Sequence, residues 1–477
     1  MTPPRRLACL LRAAAAFAAC GTAALLAGCA APERAALTAT GYVSHQLCSA
    51  VFVGGLEPDR YFRQAIAPLG GPFAGLFRQE VDRAHGEVRA SLAGLAESRA
   101  VYRPPLGCVN ATGLPTGDLP PVAAPPAASA PPLLPPIAGP AVVEPSMPAL
   151  QAALARAFDE TPQPPHPNTQ AIVVLHDDRV IAERYADGIG VDTPLPGWSA
   201  TKSMTNALLG ILVRAGRLDM QAPAPVAAWA DPHDPRHAIT PDELLRMTSG
   251  LAMGQTLHDV SPFDPAAQML FASHDMAKRA ARAPLADPPG THWNYSDANT
   301  MLLSRLIADR AGGDPASVLA YVHRALFDKL GMRGATLEFD AAGTPIGGSH
   351  LWAPARDWAR LGLLFLHDGV VGGERILPER WVDASARMTP GADYVGYGAG
   401  FWTNRGPGYG AQYRIAHGMP ADAYMMRGSY GQYVVIVPSR QLVVVRLGPA
   451  FTPRDDMDAV CRLIADVIDA LGIRPAA

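Results

Sequence analysis

Gly197-Trp-Ser199-Ala-Thr-Lys202-Ser-Met204-Thr-Asn-Ala207-Leu208-Leu-Gly-Ile211-Leu212 is the stretch on which the reading of this chain turns. Its apolar residues recur at three- and four-residue steps, which predicts a helix with a buried face. Ser199 and Lys202 open that helix three positions apart, so hydroxyl and amine share one face and can meet. The field at a helix N-terminus favours developing negative charge, and together with burial it disfavours an ammonium. A neutral lysine could take the serine proton, which an arginine cannot do. The lysine is informative because the chain holds only Lys202, Lys278 and Lys329 among its 40 basic residues. The plainer alternative makes Ser199 a helix cap and Lys202 a solvated first-turn residue.

Two further segments carry possible chemistry. Pro289-Gly-Thr-His292-Trp-Asn-Tyr295-Ser-Asp297-Ala-Asn299 precedes a helical pattern from Leu302 to Ala311. A phenol near a cation can carry protons, so Tyr295 is a candidate proton-transfer group; His292 is a weaker alternative base. The alternative is a core tyrosine followed by a Ser or Asp cap. Arg427-Gly-Ser429-Tyr430-Gly431-Gln432 leads into a strand starting at Tyr433. Glycine there lets backbone come close to a substrate, and its N–H groups could line an oxyanion pocket. A bulge or turn is the alternative.

The 477 residues allow two or three domains, and 49% apolar against 17% charged residues suits a large core. A net charge of −3 without a long basic run argues against nucleic acid as the main ligand. There is no Gly-x-Ser-x-Gly elbow, no Walker loop and no His-Glu-x-x-His. Asp231, His233, Asp234 and His237 lie in a Pro-rich loop and read as solvated rather than metal-binding. Neither a metal nor an organic cofactor is expected.

Arg5 and Arg6, an apolar run from Ala13 to Leu26, and Leu26-Ala27-Gly28-Cys29 form a secretory signal layout. Its end resembles the lipobox of bacterial lipoproteins, which implies that residues 1–28 are removed and that Cys29 carries lipid. With Ala30 and Ala31 following, the expected location is periplasmic, anchored to a bacterial membrane, the outer one where two exist. In an oxidising compartment Cys48 and Cys108 are expected to pair, leaving Cys461 as a buried thiol. Residues 29–110 read as a small α+β unit. Tyr42 to Val53 is expected as a strand, Pro58 to Ala67 as a helix ended by Pro68, and Ala84-His85-Gly86 as a hairpin turn. Residues 111–147, with 11 Pro, eight Ala and only two charges, read as a linker or a strap along the surface.

Residues 148–477 read as one α/β domain: a helix at 150–158, strands at 170–176 and 179–185, strands from Tyr433 and Leu442, and a last helix at 457–471. Strands at both ends with helices between predict one mainly antiparallel sheet flanked by helices, plus a helical lobe.

The ordered set Ser199-x-x-Lys202, Tyr295-x-Asp297, then Ser429-Tyr430-Gly431 on a terminal strand resembles the serine β-lactamase and penicillin-binding-protein family. It is most similar to the class C branch with its esterase and 6-aminohexanoate-dimer hydrolase relatives. Ile239-Thr-Pro-Asp-Glu-Leu-Leu-Arg-Met-Thr-Ser-Gly-Leu251 and Gly431-Gln-Tyr-Val-Val-Ile-Val-Pro438 add to the likeness, which spans about 165–470. The resemblance implies a β-lactamase/transpeptidase-like fold and a serine hydrolase acting through an acyl-enzyme. Ser199 would be the nucleophile, Lys202 its activator and Tyr295 the proton shuttle, with the Ser199 and Gln432 N–H groups as oxyanion hole. Asp297 stands where that branch usually has Asn, and Ser429 where a Lys or His often stands. This favours uncharged esters or amides, small molecules or peptides, over penicillins. Arg427 or His417 could replace the missing base. The alternatives are a β-lactamase or D-alanyl-D-alanine carboxypeptidase, and, in a different class, a non-catalytic lipoprotein that binds cell-wall peptide.

Overall fold

Side chains of neighbouring residues in a strand point to opposite faces, and the central sheet uses both. In the computed structural model, which describes residues 31–94, 96–115, 119–254 and 261–473, Val173 and Leu175 join one apolar cluster while Ile172 and Val174 join a second. A strand buried on both faces therefore reads as an unbroken apolar run.

The described residues begin with helix α1 over residues 31–48, continued by a wider turn at Ser49–Val53. Strands β1 (Phe77–Asp82), β2 (Glu87–Leu92), β3 (Ala96–Tyr102) and β4 (Cys108–Asn110) form a four-stranded antiparallel sheet in that order. Cys48 and Cys108 are disulfide-bonded, tying the end of α1 to β4, and Cys461 is a buried free thiol. The strand expected at 42–53 is thus a helix. Tyr42-Val43 and Val51-Phe-Val53 suit a strand by propensity, but the Ala-rich residues 31–39 start a helix that propagates through them. Val43, His45, Leu47 and Cys48 are all buried, so the segment lacks the polar stripe that would have shown its true period. A helix does start at Pro58, capped by the Glu57 side chain, but it runs through Pro68 to Gly70. The hairpin around Ala84-His85-Gly86 joins β1 to β2.

Residues 111–147 contain no helix or strand among those described. They are nonetheless pinned. Leu134 and Ile137 are buried, the Leu133 and Leu134 N–H groups donate to Lys329 O at 2.9 and 3.1 Å, and Arg356 donates to the carbonyls of Gly139 and Ala141. This strap also pairs with the outer strand of the main sheet, where Val180 N–H donates to Ile137 O and Glu183 N–H to Val143 O. It covers an edge that would otherwise present unpaired backbone groups.

Helix α2 (Pro148–Arg156) leads into β5 (Ala171–His176) and β6 (Arg179–Tyr185), joined by Asp177 and Asp178 with positive φ. Helix α3 (Thr201–Arg214) is the axis of the helical lobe and packs on α4 (Asp297–Arg310). Helix α5 (Ala355–Leu366) then covers one face of the main sheet, Trp358, Leu361 and Leu364 clustering with Val434 and Val443. Strands β7 (Trp402–Thr403), β8 (Tyr424–Gly428), β9 (Gln432–Val437) and β10 (Leu442–Leu447) complete the sheet, and α6 (Met457–Leu471) lies beside α2 on its other face. The order is β7-β8-β9-β10-β5-β6, antiparallel throughout, with Leu442 opposite His176. The first and last strands of the domain pair as the sequence pattern requires. Among the described residues no helix is long and apolar enough to cross a membrane.

Candidate active site

Ser199 sits in a single turn, Trp198–Ala200, just before α3. Trp198 has φ 47°, a left-handed conformation that costs a bulky residue strain and is often found at functional sites. Ser199 is half-buried while its neighbours on both sides are buried. Ala200, not Ser199, occupies the cap position of α3, so the hydroxyl is not spent on capping.

Lys202, 1% exposed, directs Nζ to three oxygens: Ser199 Oγ at 3.0 Å, Asp297 Oδ1 at 2.5 Å and Gly348 O at 2.9 Å. Each ammonium donor has a partner, as a buried charge requires. The i, i+3 spacing delivers the first contact, α4 delivers Asp297 in its first turn after the Ser296 cap, and the loop at 347–351 delivers the third. That loop is held along α3 by Thr205 Oγ1 donating to Gly347 O and Thr201 Oγ1 accepting from Leu351 N–H. A Cβ on Gly348 would lie 2.8 Å from Asp297 Oδ1, so a larger residue would displace the carboxylate.

Tyr295, 2% exposed, lies beside Ser199 with its ring centroid 4.9 Å from Lys202 Nζ. Trp293, Tyr397 and Trp402 enclose its ring. Burial raises its phenol well above the ordinary tyrosine range; the Asp297 charge adds to this, while Ser199 and Arg427 oppose it. The phenol therefore stays protonated rather than resting as a phenolate.

The third segment is a tight turn between β8 and β9, with Tyr430 and Gly431 at φ 61° and 85°. Ser429 and Tyr430 line an open cleft of about 570 Å³, together with Trp402, Arg427 and, from the N-terminal unit, Leu69. Gly431 and Gln432 lie behind the turn. Gly431 O accepts from Arg446, and the Gln432 side chain, 1% exposed, donates to Tyr430 O at 2.7 Å and Gly448 O at 2.9 Å. They hold the hairpin's shape. The residue that meets the serine turn is Gly428, where a Cβ would stand 2.0 Å from Gly197 O. Sequence reading centred on Gly431 missed Gly428, although it lies in the same quoted run.

Arg427 is ion-paired with Asp455 at 2.9 Å and lies over Trp402. His292 and His417 are exposed; His417 Nδ1 bonds Tyr413 O. His233 pairs with Asp231 on an exposed loop and Asp234 with Arg236. Cys29 and the signal segment fall outside the described residues.

The comparisons with known proteins fit this geometry. A family profile described as Beta-lactamase matches residues 154–467. The chain belongs to that family. Its place is among the serine hydrolases of the β-lactamase/transpeptidase-like fold. A 6-aminohexanoate-dimer hydrolase from Paenarthrobacter ureafaciens is 26% identical over 241 residues, covering 45% of this chain and 56% of that enzyme's length. This chain therefore spans little more than half of that relative. An uncharacterized protein of Mycobacterium tuberculosis is 28% identical over 308 residues, 52% of this chain and 75% of its own. Among solved structures, a Bacillus anthracis chain assigned as a 6-aminohexanoate-dimer hydrolase has a TM-score of 0.54 at 22% identity, covering 64% of this chain and 80% of its own. A penicillin-binding-protein homologue from Caulobacter crescentus has a TM-score of 0.51 at 17% identity, covering 68% and 96%. At these identities the solved structures establish the fold.

Proposed function

We propose that the chain cleaves an ester or amide through an acyl-enzyme on Ser199, as a member of the class C branch. The observation that carries this is Lys202 Nζ within 3.0 Å of Ser199 Oγ and 2.5 Å of Asp297 Oδ1. An ammonium cannot accept the serine proton. The Asp297 contact supplies the way out: one Lys202 proton moves onto Asp297, leaving an amine beside Ser199 without net charge change. Ser199 Oγ then attacks the substrate carbonyl and its proton passes to Lys202 Nζ. When the tetrahedral centre collapses, the leaving group takes the Tyr295 phenol proton, and Lys202 restores it. In the second half-reaction water replaces the serine, with the same groups acting in reverse.

The oxyanion donors we assign are the Ser199 and Ser429 N–H groups. Ser429 follows Gly428, which abuts Gly197, whereas Gln432 stands on β9, one strand further from the serine turn. The cleft beside Ser429 is lined by Trp402, Tyr430 and Phe451, and Arg427 and Arg454 in its wall are paired with Asp455 and Asp458, which favours an uncharged or amide-linked substrate over a free carboxylate. The P. ureafaciens relative's name points to linear amides as the first class to try. We also propose export as a lipid-anchored periplasmic protein, a reading supported by the Cys48–Cys108 disulfide.

The test is a panel of p-nitrophenyl esters, 6-aminohexanoate-type linear amides, D-alanyl-D-alanine peptides and a chromogenic β-lactam, with acid-quenched samples mapped for an acyl group. Turnover of esters or linear amides with acyl on the Ser199 peptide supports the proposal. Turnover of the β-lactam or D-alanyl-D-alanine peptide alone moves it to the penicillin-directed alternative, and binding without turnover to the peptide-binding lipoprotein.

A further inference from the structure

Behind the catalytic lysine, where α1 meets the loop that carries Gly348, three metal-ligating side chains meet in the interior. His45 comes from α1, Glu338 from the segment after residue 337, and His350 from two residues beyond Gly348. They are 1%, 0% and 1% exposed. One nitrogen or oxygen from each lies within 4.8 Å of the others, a grouping found nowhere else among the described residues. None of the three belongs to the reaction proposed for Ser199.

The hydrogen bonds around the group are unevenly shared. Glu338 Oε1 accepts from Ser49 Oγ at 2.7 Å and from Cys108 N–H at 2.8 Å, while Oε2 faces only His45 Nε2, at 2.9 Å. His350 Nδ1 bonds Ser349 Oγ at 2.7 Å. His350 Nε2 and His45 Nδ1 have no partner among the described residues, although both rings are buried. The rings stand nearly perpendicular with centroids 4.6 Å apart. A buried polar atom left unpaired costs about 1–3 kcal/mol, and His350 Nε2, beside the His45–Glu338 pair, is the atom an occupant would satisfy.

We propose that His45, Glu338 and His350 form a binding site for one divalent transition-metal ion, zinc first among them, which clamps α1 to the catalytic body. Two imidazoles and a carboxylate suit zinc and its late first-row neighbours rather than magnesium or calcium. An ion central to three donors up to 4.8 Å apart lies within about 2.8 Å of each, so shifts under about 1 Å bring them to the ~2.0–2.2 Å that zinc requires. The outer shell is in place for His350 and Glu338. Metal-bound histidines give their other ring nitrogen to a partner, as His350 does to Ser349, and ligating carboxylates are held by donors, as Glu338 is by Ser49 and Cys108. A His45–Glu338 ion pair alone would account for Glu338 but would leave the buried His350 Nε2 unexplained.

The site stands whether or not Ser199 is a nucleophile, so its test does not depend on activity. The untagged full chain is purified with added zinc, passed through gel filtration and assayed for metal by mass spectrometry. A second sample is titrated with cobalt(II). The proposal expects stoichiometric zinc that survives filtration, intense visible cobalt bands of a four- or five-coordinate site, and loss of both in His350→Gln and Glu338→Gln. X-ray absorption of the wild-type zinc protein needs no variant to fold, and should show two imidazoles and an oxygen ligand. Wild type with less than about a tenth of an equivalent of zinc and no cobalt bands overturns it. Binding that persists in both variants, or a zinc shell without two imidazoles, overturns it equally.

Discussion

Lys202 Nζ stands 2.5 Å from Asp297 Oδ1, and their side chains are 2% and 6% exposed. Removing one partner of a buried pair leaves the other charge without compensation, at about 3–5 kcal/mol. Asp297→Ala should therefore lower Tm markedly. Asp297→Asn keeps the shape and an oxygen for Lys202 but cannot take up a proton, so it should fold and lose about 10²–10⁴ in kcat/KM. Ester kinetics beside thermal melts check both. An Asp297→Asn enzyme within threefold of wild type would remove Asp297 from the proton path.

Tyr295→Phe separates the two halves of the proton path. Burial keeps the Tyr295 phenol protonated, suiting it to protonate a departing amine. A p-nitrophenolate leaves without help. The variant should lose about 10²–10⁴ in amide turnover and far less in the pre-steady-state release of p-nitrophenol from esters, which precedes deacylation. Equal losses in both would mean that Tyr295 acts in the attack of Ser199 rather than in departure of the leaving group.

Gly428→Ala tests the contact between strand and serine turn. Its Cβ would stand 2.0 Å from Gly197 O, a backbone atom that cannot rotate away, so β8 must move from Ser199. We expect kcat/KM to fall at least tenfold, because a displacement of about 1 Å at an active site can cost 10². Unchanged kinetics would show that β8 does not set the oxyanion geometry.

The fold was legible where residue patterns were local or doubly constrained. The runs at 170–176, 433–437 and 442–447 are buried on both faces, and such runs announce a central sheet. Ser199 and Lys202 could be joined from spacing alone because one helix carries both. Gly348, Gly428 and the His45–Glu338–His350 group were not legible, since Gly348 meets Asp297, Gly428 meets Gly197 and His45 meets Glu338 across long stretches of sequence and no local period marks them. The expected strand at 42–53 failed for a related reason: a helix buried on every side lacks the polar stripe that distinguishes period 3.6 from period 2.

Two buried carboxyls set a pH dependence of stability. Burial raises Asp340 and Asp357 to about 6, against backbone donors that favour the charged form. Their pKa is raised on folding, so their contribution is fully present below the ordinary carboxylate value of about 3.9 and is lost as pH rises through 6. Asp340→Asn removes one such group. The stability of wild type relative to this variant should fall by up to about 3 kcal/mol between pH 4 and pH 6.5 in urea unfolding, at about 1.4 kcal/mol per unit. A difference that stays constant with pH would show that Asp340 does not titrate in that window.

The most direct test of the account is the intact mass of the full chain after treatment with a fluorophosphonate, wild type beside Ser199→Ala. An activated Ser199 predicts a single adduct on wild type, mapped to the Ser199 peptide, and none on the variant. A folded wild type that takes no adduct, or one that Ser199→Ala takes equally, would contradict the assignment of Ser199 as the nucleophile.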